Sequence, residues 1–149
     1  EGGATTLWEH WEFSDNTYSH NHPMFGSVSE WFYKALAGIQ PAPEAVGFDR
    51  ILLAPQVVGD LQWVKARYDA VRGTVVSEWT RNADQFRWHV RVPVGTTATL
   101  VLPARERTTI TEGGKAVERA QGIQFLRMED GKAILALGSG DYRFESVLP

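Results

Sequence analysis

The sequence predicts a mainly β protein, an antiparallel β-sandwich that is preceded by a loop and one helix. Two observations carry this prediction. From residue 48 onward, short runs rich in Val, Ile, Thr and aromatic residues alternate with Gly, Pro, Asn and Asp, as strands alternate with turns. Before residue 46, a single stretch carries apolar residues at helical spacing. The chain therefore divides near residue 46, into 1–45 and 46–149.

The helix is predicted over residues 28–38. Ser27 and Glu30 have the spacing of a capping box, in which each side chain takes up a free backbone N–H of the first turn. Gly38 can adopt the left-handed conformation that ends a helix, and Pro41 forbids continuation. One face of this helix is apolar and formed by Val28, Trp31, Phe32, Ala35, Leu36 and Ile39.

The proline-containing segment QPAPEAVG after the helix is predicted to be a connector. Asp130-Gly131 and Gly113-Gly114 have the composition of hairpin turns, and Asn82 to Asp84 is predicted to be a turn. In QFRWHVRVPV, apolar and charged residues alternate, which places His89 on the outward face of a half-buried strand. The predicted strands are RILLAPQ, LQWVKARYDA, GTVVSEWTR, QFRWHVRVPV, TATLVLPA, GIQFLRME, KAILALG and DYRFESV.

Composition excludes several classes of function. The net charge of -3 and the lack of a basic patch argue against nucleic acid as a partner. No apolar run approaches the roughly 20 residues of a membrane span, so no membrane partner is expected. Without cysteine, the chain can form neither disulfides nor thiolate metal sites, and the compartment, cytoplasmic or secreted, stays open. No cofactor-binding motif occurs, so we expect no cofactor.

The densest group of chemically capable residues is WEHWE, in which Glu9 and Glu12 flank His10 and Trp11. One interpretation is that these are solvated carboxylates beside packed indoles, since charged residues are mostly exposed. The other is that a carboxylate walled by indoles lies in a sugar-sized pocket, where it could perform acid–base chemistry.

His20 and His22 form an H-x-H pair that could bind zinc from a strand. A zinc site needs a third or fourth ligand, and Asp15 and His10 are the nearest candidates without a spacing signature. We therefore expect no metal site, and interpret the pair as polar groups that bind a ligand or cap the structure.

The sandwich part shows no catalytic motif. Its tryptophans, Trp63, Trp79 and Trp88, are expected in the core rather than on a sugar-binding platform, because the core is the commoner place for large aromatic side chains.

Five ordered blocks resemble the C-terminal part of bacterial α-L-rhamnosidases of the inverting type, glycoside hydrolase family 78. The similarity runs from Gly3 to about Ala104, and its most diagnostic parts are G-A-T-T-x-W-E-x-W and N-H-x-x-F-G-S-V. The blocks are GATTLWEHWE, NHPMFGSVSEWFYKALAGIQP, GFDRILLAPQ, WVKARYDAVRGTVVSEW and VPVGTTATLVLPA.

The resemblance implies an architecture and a site. Residues 1–45 would be the end of an (α/α)6 catalytic barrel, and residues 46–149 the C-terminal β-sandwich. Glu9 would be the general base that activates water, and His22 would contact the sugar. Trp8 and Trp11 would wall the pocket, where an indole can stack on the apolar face of a 6-deoxy sugar.

The resemblance also implies that this chain lacks the general acid of the family. In the family, the general acid lies far upstream, so the chain alone would not hydrolyse a rhamnoside. The start without methionine, directly in the Trp-, Glu- and His-rich segment, fits a piece of a longer enzyme: a remnant of proteolysis, an incomplete gene product or a deliberately expressed segment.

The expected partners are a rhamnose-containing glycoside and the remaining barrel. A second copy of the chain could also bind, through the apolar face of the predicted helix 28–38. The alternative is a non-catalytic carbohydrate-binding or structural β-sandwich module.

Overall fold

The computed structural model describes residues 3–11 and 19–149. The chain forms two compact units, Glu1–Phe32 and Tyr33–Pro149. Within the described ranges, no helix has the length and apolar character needed to cross a membrane.

One continuous helical segment occupies Pro23–Leu36. It begins as a 3-10 turn over Pro23–Ser27, continues as an α-helical turn over Val28–Trp31 and ends as a π turn over Phe32–Leu36. The predicted capping box is wrong, because Ser27 already has helical backbone angles and its side chain makes no capping hydrogen bond. The segment starts instead with Pro23 in its first turn, where the fixed φ of proline suits a helix start.

The mainly β prediction is confirmed: the described residues contain two sheets and two further 3-10 turns, Arg107–Thr109 and Val117–Arg119. Sheet A has the strand order β1-β2-β6-β10-β9, and sheet B the order β3-β4-β5-β11-β7-β8. The strands are β1 Ile39–Pro41, β2 Arg50–Leu53, β3 Trp63–Ala70, β4 Gly73–Asn82, β5 Gln85–Val92, β6 Thr97–Pro103, β7 Thr111–Glu112, β8 Lys115–Ala116, β9 Ile123–Glu129, β10 Lys132–Leu137 and β11 Gly140–Val147.

All eight predicted strands are present, and the hairpin turns lie where they were predicted. Asp130 and Gly131 both have positive φ, as a two-residue hairpin turn requires. The predicted connector is partly wrong, because Ile39–Pro41 pairs with β2 as an edge strand of sheet A. Proline is compatible with an edge strand, where its missing N–H costs no ladder bond.

One strand pair departs from the antiparallel pattern. Strand β2 pairs with β6 in parallel, and every other pairing is antiparallel among the described residues. Parallel neighbours need a long crossover connection. Here the chain between them builds β3, β4 and β5 of sheet B, so the crossover links the two sheets.

The core contains side chains from both sheets. Trp79 and Trp88 are fully buried in sheet B and belong to one hydrophobic cluster with Leu53 and Leu100 of sheet A. The core prediction is therefore confirmed for these two tryptophans. It is wrong for Trp63, which is 59% exposed. Trp63 lies on an edge strand, on the face opposite to that of Val64, whose partner across the ladder is the buried Trp79.

The end of the helical segment is joined to the sheets through four consecutive carbonyl groups. Those of Ala35 and Gly38 accept hydrogen bonds from the backbone N–H groups of Gln56 and Ala54, each at 2.9 Å. The last carbonyl groups of a helix lack partners within the helix, so these bonds satisfy groups that burial would otherwise penalise.

Two side chains of β4 bind the carbonyl groups between them. The indole Nε1–H of Trp79 donates to Leu36 O at 2.8 Å, and the Ser77 hydroxyl donates to Ala37 O at 2.6 Å. Ser77 also accepts a 2.9 Å hydrogen bond from the indole N–H of Trp88. The buried polar atoms of both tryptophans are thereby satisfied.

The outer face of sheet B carries a cross-strand charge network centred on Asp141. Its carboxylate binds the Arg91 guanidinium through two hydrogen bonds, of 3.0 and 3.1 Å, and lies 3.0 Å from His89 Nε2 and from Arg143 Nη1. Partial burial opposes ionisation, but the hydrogen bonds from His89 and Arg91, together with the charges of His89 and Arg143, outweigh it and hold the pKa of Asp141 below its usual range. His89 faces outward, as its strand pattern predicts.

Gly38→Ala should destabilise the sandwich by about 3 kcal/mol or more, from steric overlap added to backbone strain. Gly38 has φ +73°, and an added Cβ would overlap Pro55 N and the carbonyl carbon of Ala54. Gly113→Ala is the matched control, since Gly113 has φ +54° and open space around it. We expect the control to lose only about 1–2 kcal/mol. Equal losses in urea unfolding would show that strain, not overlap, sets the cost.

Asp141→Asn should lower the free energy of unfolding at pH 7 by roughly 1 kcal/mol, a value suited to a carboxylate still partly exposed to solvent. Because the folded pKa is depressed, this stabilisation is present above the unfolded pKa of about 4 and is lost as pH falls through the folded value. The two proteins should therefore converge in stability below about pH 4. A constant difference across that range, or an equal effect of Asp60→Asn at an exposed site, would contradict this.

Candidate functional site

Two short segments of the N-terminal unit lie side by side in opposite directions and build the candidate site. The N–H of Glu9 donates to Ser19 O at 3.0 Å, and the N–H of His22 donates to Leu7 O at 2.6 Å. The Thr6 hydroxyl adds a bond to the carbonyl oxygen of His20. These bonds join the W-E block of the sequence to the start of the N-H block and to the two residues before it.

A cavity of about 630 Å³ opens beside the first of these segments. Glu9 and Trp8 are half-buried on its wall, whereas Trp11 is fully exposed. The volume of the cavity lies within the range of roughly 300–1,000 Å³ typical of small-molecule pockets. The lining residues are Ala4, Thr6, Leu7, Trp8, Glu9, His10, Trp11 and Phe25.

His22 lies next to this cavity but is not among the described residues that line it. Its ring packs against the ring of Phe25, with centroids 4.8 Å apart, and Phe25 does line the cavity. Three of the four predicted site residues, Trp8, Glu9 and Trp11, therefore line the cavity, and the fourth contacts a lining residue.

The two histidines of the H-x-H pair pack against different aromatic residues, His20 against Trp8 and His22 against Phe25. His20 packs edge-on against Trp8, with ring centroids 5.0 Å apart and an interplanar angle of 61°. In residues 3–11 and 19–149, no three His, Asp or Glu side chains are close enough together to hold a metal ion. Asp15, which was considered as a ligand, and Glu12 lie outside the described residues.

Sequence reasoning about the site missed Phe25, Thr6 and Leu7. Phe25 and Thr6 stand inside the two most diagnostic blocks, N-H-x-x-F-G-S-V and G-A-T-T-x-W-E-x-W, so the blocks themselves were a signal. Leu7 occupies the variable position of its block and could be found only from the geometry.

The arrangement can bind a small ligand that has both an apolar face and hydroxyl groups. Indole and phenyl rings supply surfaces for stacking, and the Glu9 carboxylate supplies an acceptor in the same cavity. A carboxylate in such a position can accept a proton from a bound water molecule.

Two protein-family models match the chain. The model of the bacterial α-L-rhamnosidase C-terminal domain matches residues 38–117, which is more than half of the chain. The model of the bacterial α-L-rhamnosidase 6 hairpin glycosidase domain matches residues 1–36. The candidate cavity is built by residues of the second match, and both sheets contain residues of the first.

Individual relatives agree with the family models. An α-L-rhamnosidase from Streptomyces avermitilis is 32% identical over 95% of this chain, and the chain covers 14% of that protein. The structure of α-L-rhamnosidase from Dictyoglumus thermophilum is 36% identical over 96% of this chain and 16% of its own, with a TM-score of 0.77. The crystal structure of Streptomyces avermitilis α-L-rhamnosidase complexed with L-rhamnose is 30% identical over 96% of this chain and 14% of its own, with a TM-score of 0.78.

The chain therefore spans about one seventh of the length of the relatives it matches. Over that span the match extends across both units, so the similarity covers the candidate cavity as well as the sheets.

Proposed function

Because the chain belongs to the family of bacterial α-L-rhamnosidases, we propose that it provides the water-activating part of an enzyme that cleaves terminal α-L-rhamnose from rhamnosides. The proposed reaction is hydrolysis with inversion at the anomeric carbon. The observation that carries it is the position of Glu9, half-buried on the wall of the cavity with Trp8.

In this proposal Glu9 is the general base. It accepts a proton from a water molecule while that water attacks the anomeric carbon, and a carboxylic acid on the other side of the sugar protonates the leaving oxygen. The two carboxyl groups of an inverting glycosidase stand roughly 6.5–9.5 Å apart, which leaves room for the water. The acid belongs to residues outside this chain.

The aromatic residues of the cavity would position the sugar. Trp8 is held edge-on against His20, so its indole is fixed before a ligand arrives. Trp11 would close the other side of the sugar, and the His22 ring, fixed against Phe25, would contact a sugar hydroxyl. Stacking on the apolar face of a 6-deoxy sugar fits these rings.

The same proposal accounts for the exposed apolar surface of the N-terminal unit. Large apolar residues rarely form contiguous exposed patches on monomers, so this surface fits a partner element. We propose that the rest of the catalytic barrel covers it, that residues 1–45 belong to that barrel, and that residues from about 46 onward form the separate sandwich. The exposed residues of this surface outside the cavity are Met24, Val28, Trp31 and Phe32.

Glu9→Gln, made in a full-length enzyme that contains this chain, should reduce kcat for an aryl α-L-rhamnoside by at least about 100-fold. The amide keeps the shape of the carboxylate but cannot take the proton, so the Kd for L-rhamnose should change little. Glu30→Gln, on the helical segment, serves as the control. Retention of more than about a tenth of the rate would remove Glu9 from the mechanism.

The isolated 149-residue chain should show no turnover of an aryl α-L-rhamnoside, because it holds the base without the acid. Release of the chromogenic aglycone by chain purified to homogeneity measures this directly. Turnover that the Glu9→Gln variant of the same preparation lacks would show that the chain contains a complete site.

Trp31→Glu should cost the isolated chain only about 1 kcal/mol, because Trp31 is 47% exposed there and loses only part of a side chain's packing. In the full-length enzyme it should destabilise by about 2 kcal/mol or more, since a charge would be buried under the rest of the barrel. Ser29→Glu, at a neighbouring exposed position, should be neutral in both. Equal thermal shifts of Trp31→Glu in the two proteins would show that nothing covers this face.

A further inference from the structure

A second candidate binding site lies on the sandwich, in a surface groove of about 800 Å³ centred on Trp63. We propose that this Trp63 groove binds a neutral oligosaccharide, as a carbohydrate contact separate from the cavity at Glu9. Its lining residues are Asp60, Gln62, Trp63, Lys65, Thr80, Arg81, Asn82 and Ala83.

The position of Trp63 is unusual for the tryptophans of this domain. Trp79 and Trp88 are buried and their indole N–H groups are satisfied inside the core, whereas Trp63 stands on the outer face of sheet B at 59% exposure. Its partner across the ladder is Thr80, which is also exposed. The indole of Trp63 lies outside the hydrophobic core and presents a flat surface on which a sugar ring can stack.

The rim of the groove is held in place. The N–H of Arg81 donates to Gln62 O at 2.7 Å, and its guanidinium donates to Gly59 O at 2.6 Å. These bonds tie the loop before β3 to the end of β4, so the groups around Trp63 have fixed positions. Preorganisation of this kind lowers the entropic cost of binding.

The chemistry of the groove favours a sugar over a protein. One aromatic ring is surrounded by two amides, a hydroxyl, a carboxylate, an ammonium group and a guanidinium group, which supply both donors and acceptors for sugar hydroxyls. Protein interface cores are depleted of Lys and Asp, and Lys65 and Asp60 both line this groove. The apolar patch of the N-terminal unit has the opposite character, which is the reason to assign that patch, and not this groove, to protein contact.

The test is calorimetric titration of the 149-residue chain with L-rhamnose, a rhamnosyl-glucose disaccharide and a neutral glucan tetrasaccharide. We expect a Kd in the millimolar range for at least one of them, weakened about tenfold or more in Trp63→Ala. Trp63→Phe should retain part of the affinity, because a smaller ring can still stack. Trp31→Ala, which removes another exposed indole, should bind like the unsubstituted chain.

Three outcomes would overturn the inference. The first is no binding of any of these sugars up to about 50 mM. The second is binding that Trp8→Ala abolishes and Trp63→Ala leaves intact, which would place the ligand in the N-terminal cavity. The third is a change of oligomeric state in Trp63→Ala without a change in sugar affinity, which would make the groove a protein contact. The second outcome would support the cavity at Glu9 as a sugar site. None of the three tests Glu9 as the general base, since no turnover is measured.

Discussion

The sandwich depends on four consecutive carbonyl groups, from Ala35 to Gly38, that each accept a hydrogen bond from the sheet-forming part of the chain. Two of the donors are side chains of β4, Ser77 and Trp79, and these same residues belong to the packed core. The backbone turn at the end of the helical segment and the packing between the sheets are therefore one structural unit. Removing one donor would leave a buried carbonyl unsatisfied, at a cost of about 1–3 kcal/mol.

Among these four residues, Gly38 tolerates substitution least. The chain must turn from helix into strand β1 directly beside Ala54 and Pro55, with a backbone angle that L side chains rarely adopt. A residue without Cβ satisfies both demands. The edge strand β1 then begins one residue later, which explains how a proline-containing segment comes to lie in a sheet.

The two units differ in how deeply their aromatic side chains are buried. In the sandwich, Trp79, Trp88 and Phe86 are buried, and their burial stabilises the domain. In the N-terminal unit, Trp31 and Phe32 on the helical segment remain exposed. Family membership gives this contrast a physical reason: the first set packs within the chain, and the second set is proposed to pack against residues that the chain does not contain.

Much of the fold and of the candidate site could be predicted from the sequence. Runs rich in Val, Ile, Thr and aromatic residues, separated by turn residues, located eight of the strands, because β-branched and aromatic side chains favour strands. In one of them, QFRWHVRVPV, period-two alternation also showed which face is buried. Glycine in Asp130-Gly131 and at Gly38 located a turn and a helix end, because positive φ is a local requirement. Five ordered blocks led to the family, and two of them, around Trp8-Glu9 and His22, supplied the residues of the cavity.

The features that the sequence did not predict depend on contacts between residues distant in the chain. Strands β1, β7 and β8 are too short to show a period, and the parallel pairing of β2 with β6 depends on a crossover that no local pattern encodes. The sequence gives the same expectation for Trp63, Trp79 and Trp88. Only the tertiary structure sets Trp63 apart, because it lies on an edge strand and on the outer face of sheet B. Likewise, that Leu7 and Phe25 line the same cavity as Glu9 follows from hydrogen bonds between residues ten or more positions apart. Local periodicity fixes which face of an element is apolar, but which neighbour covers that face is a property of tertiary structure alone.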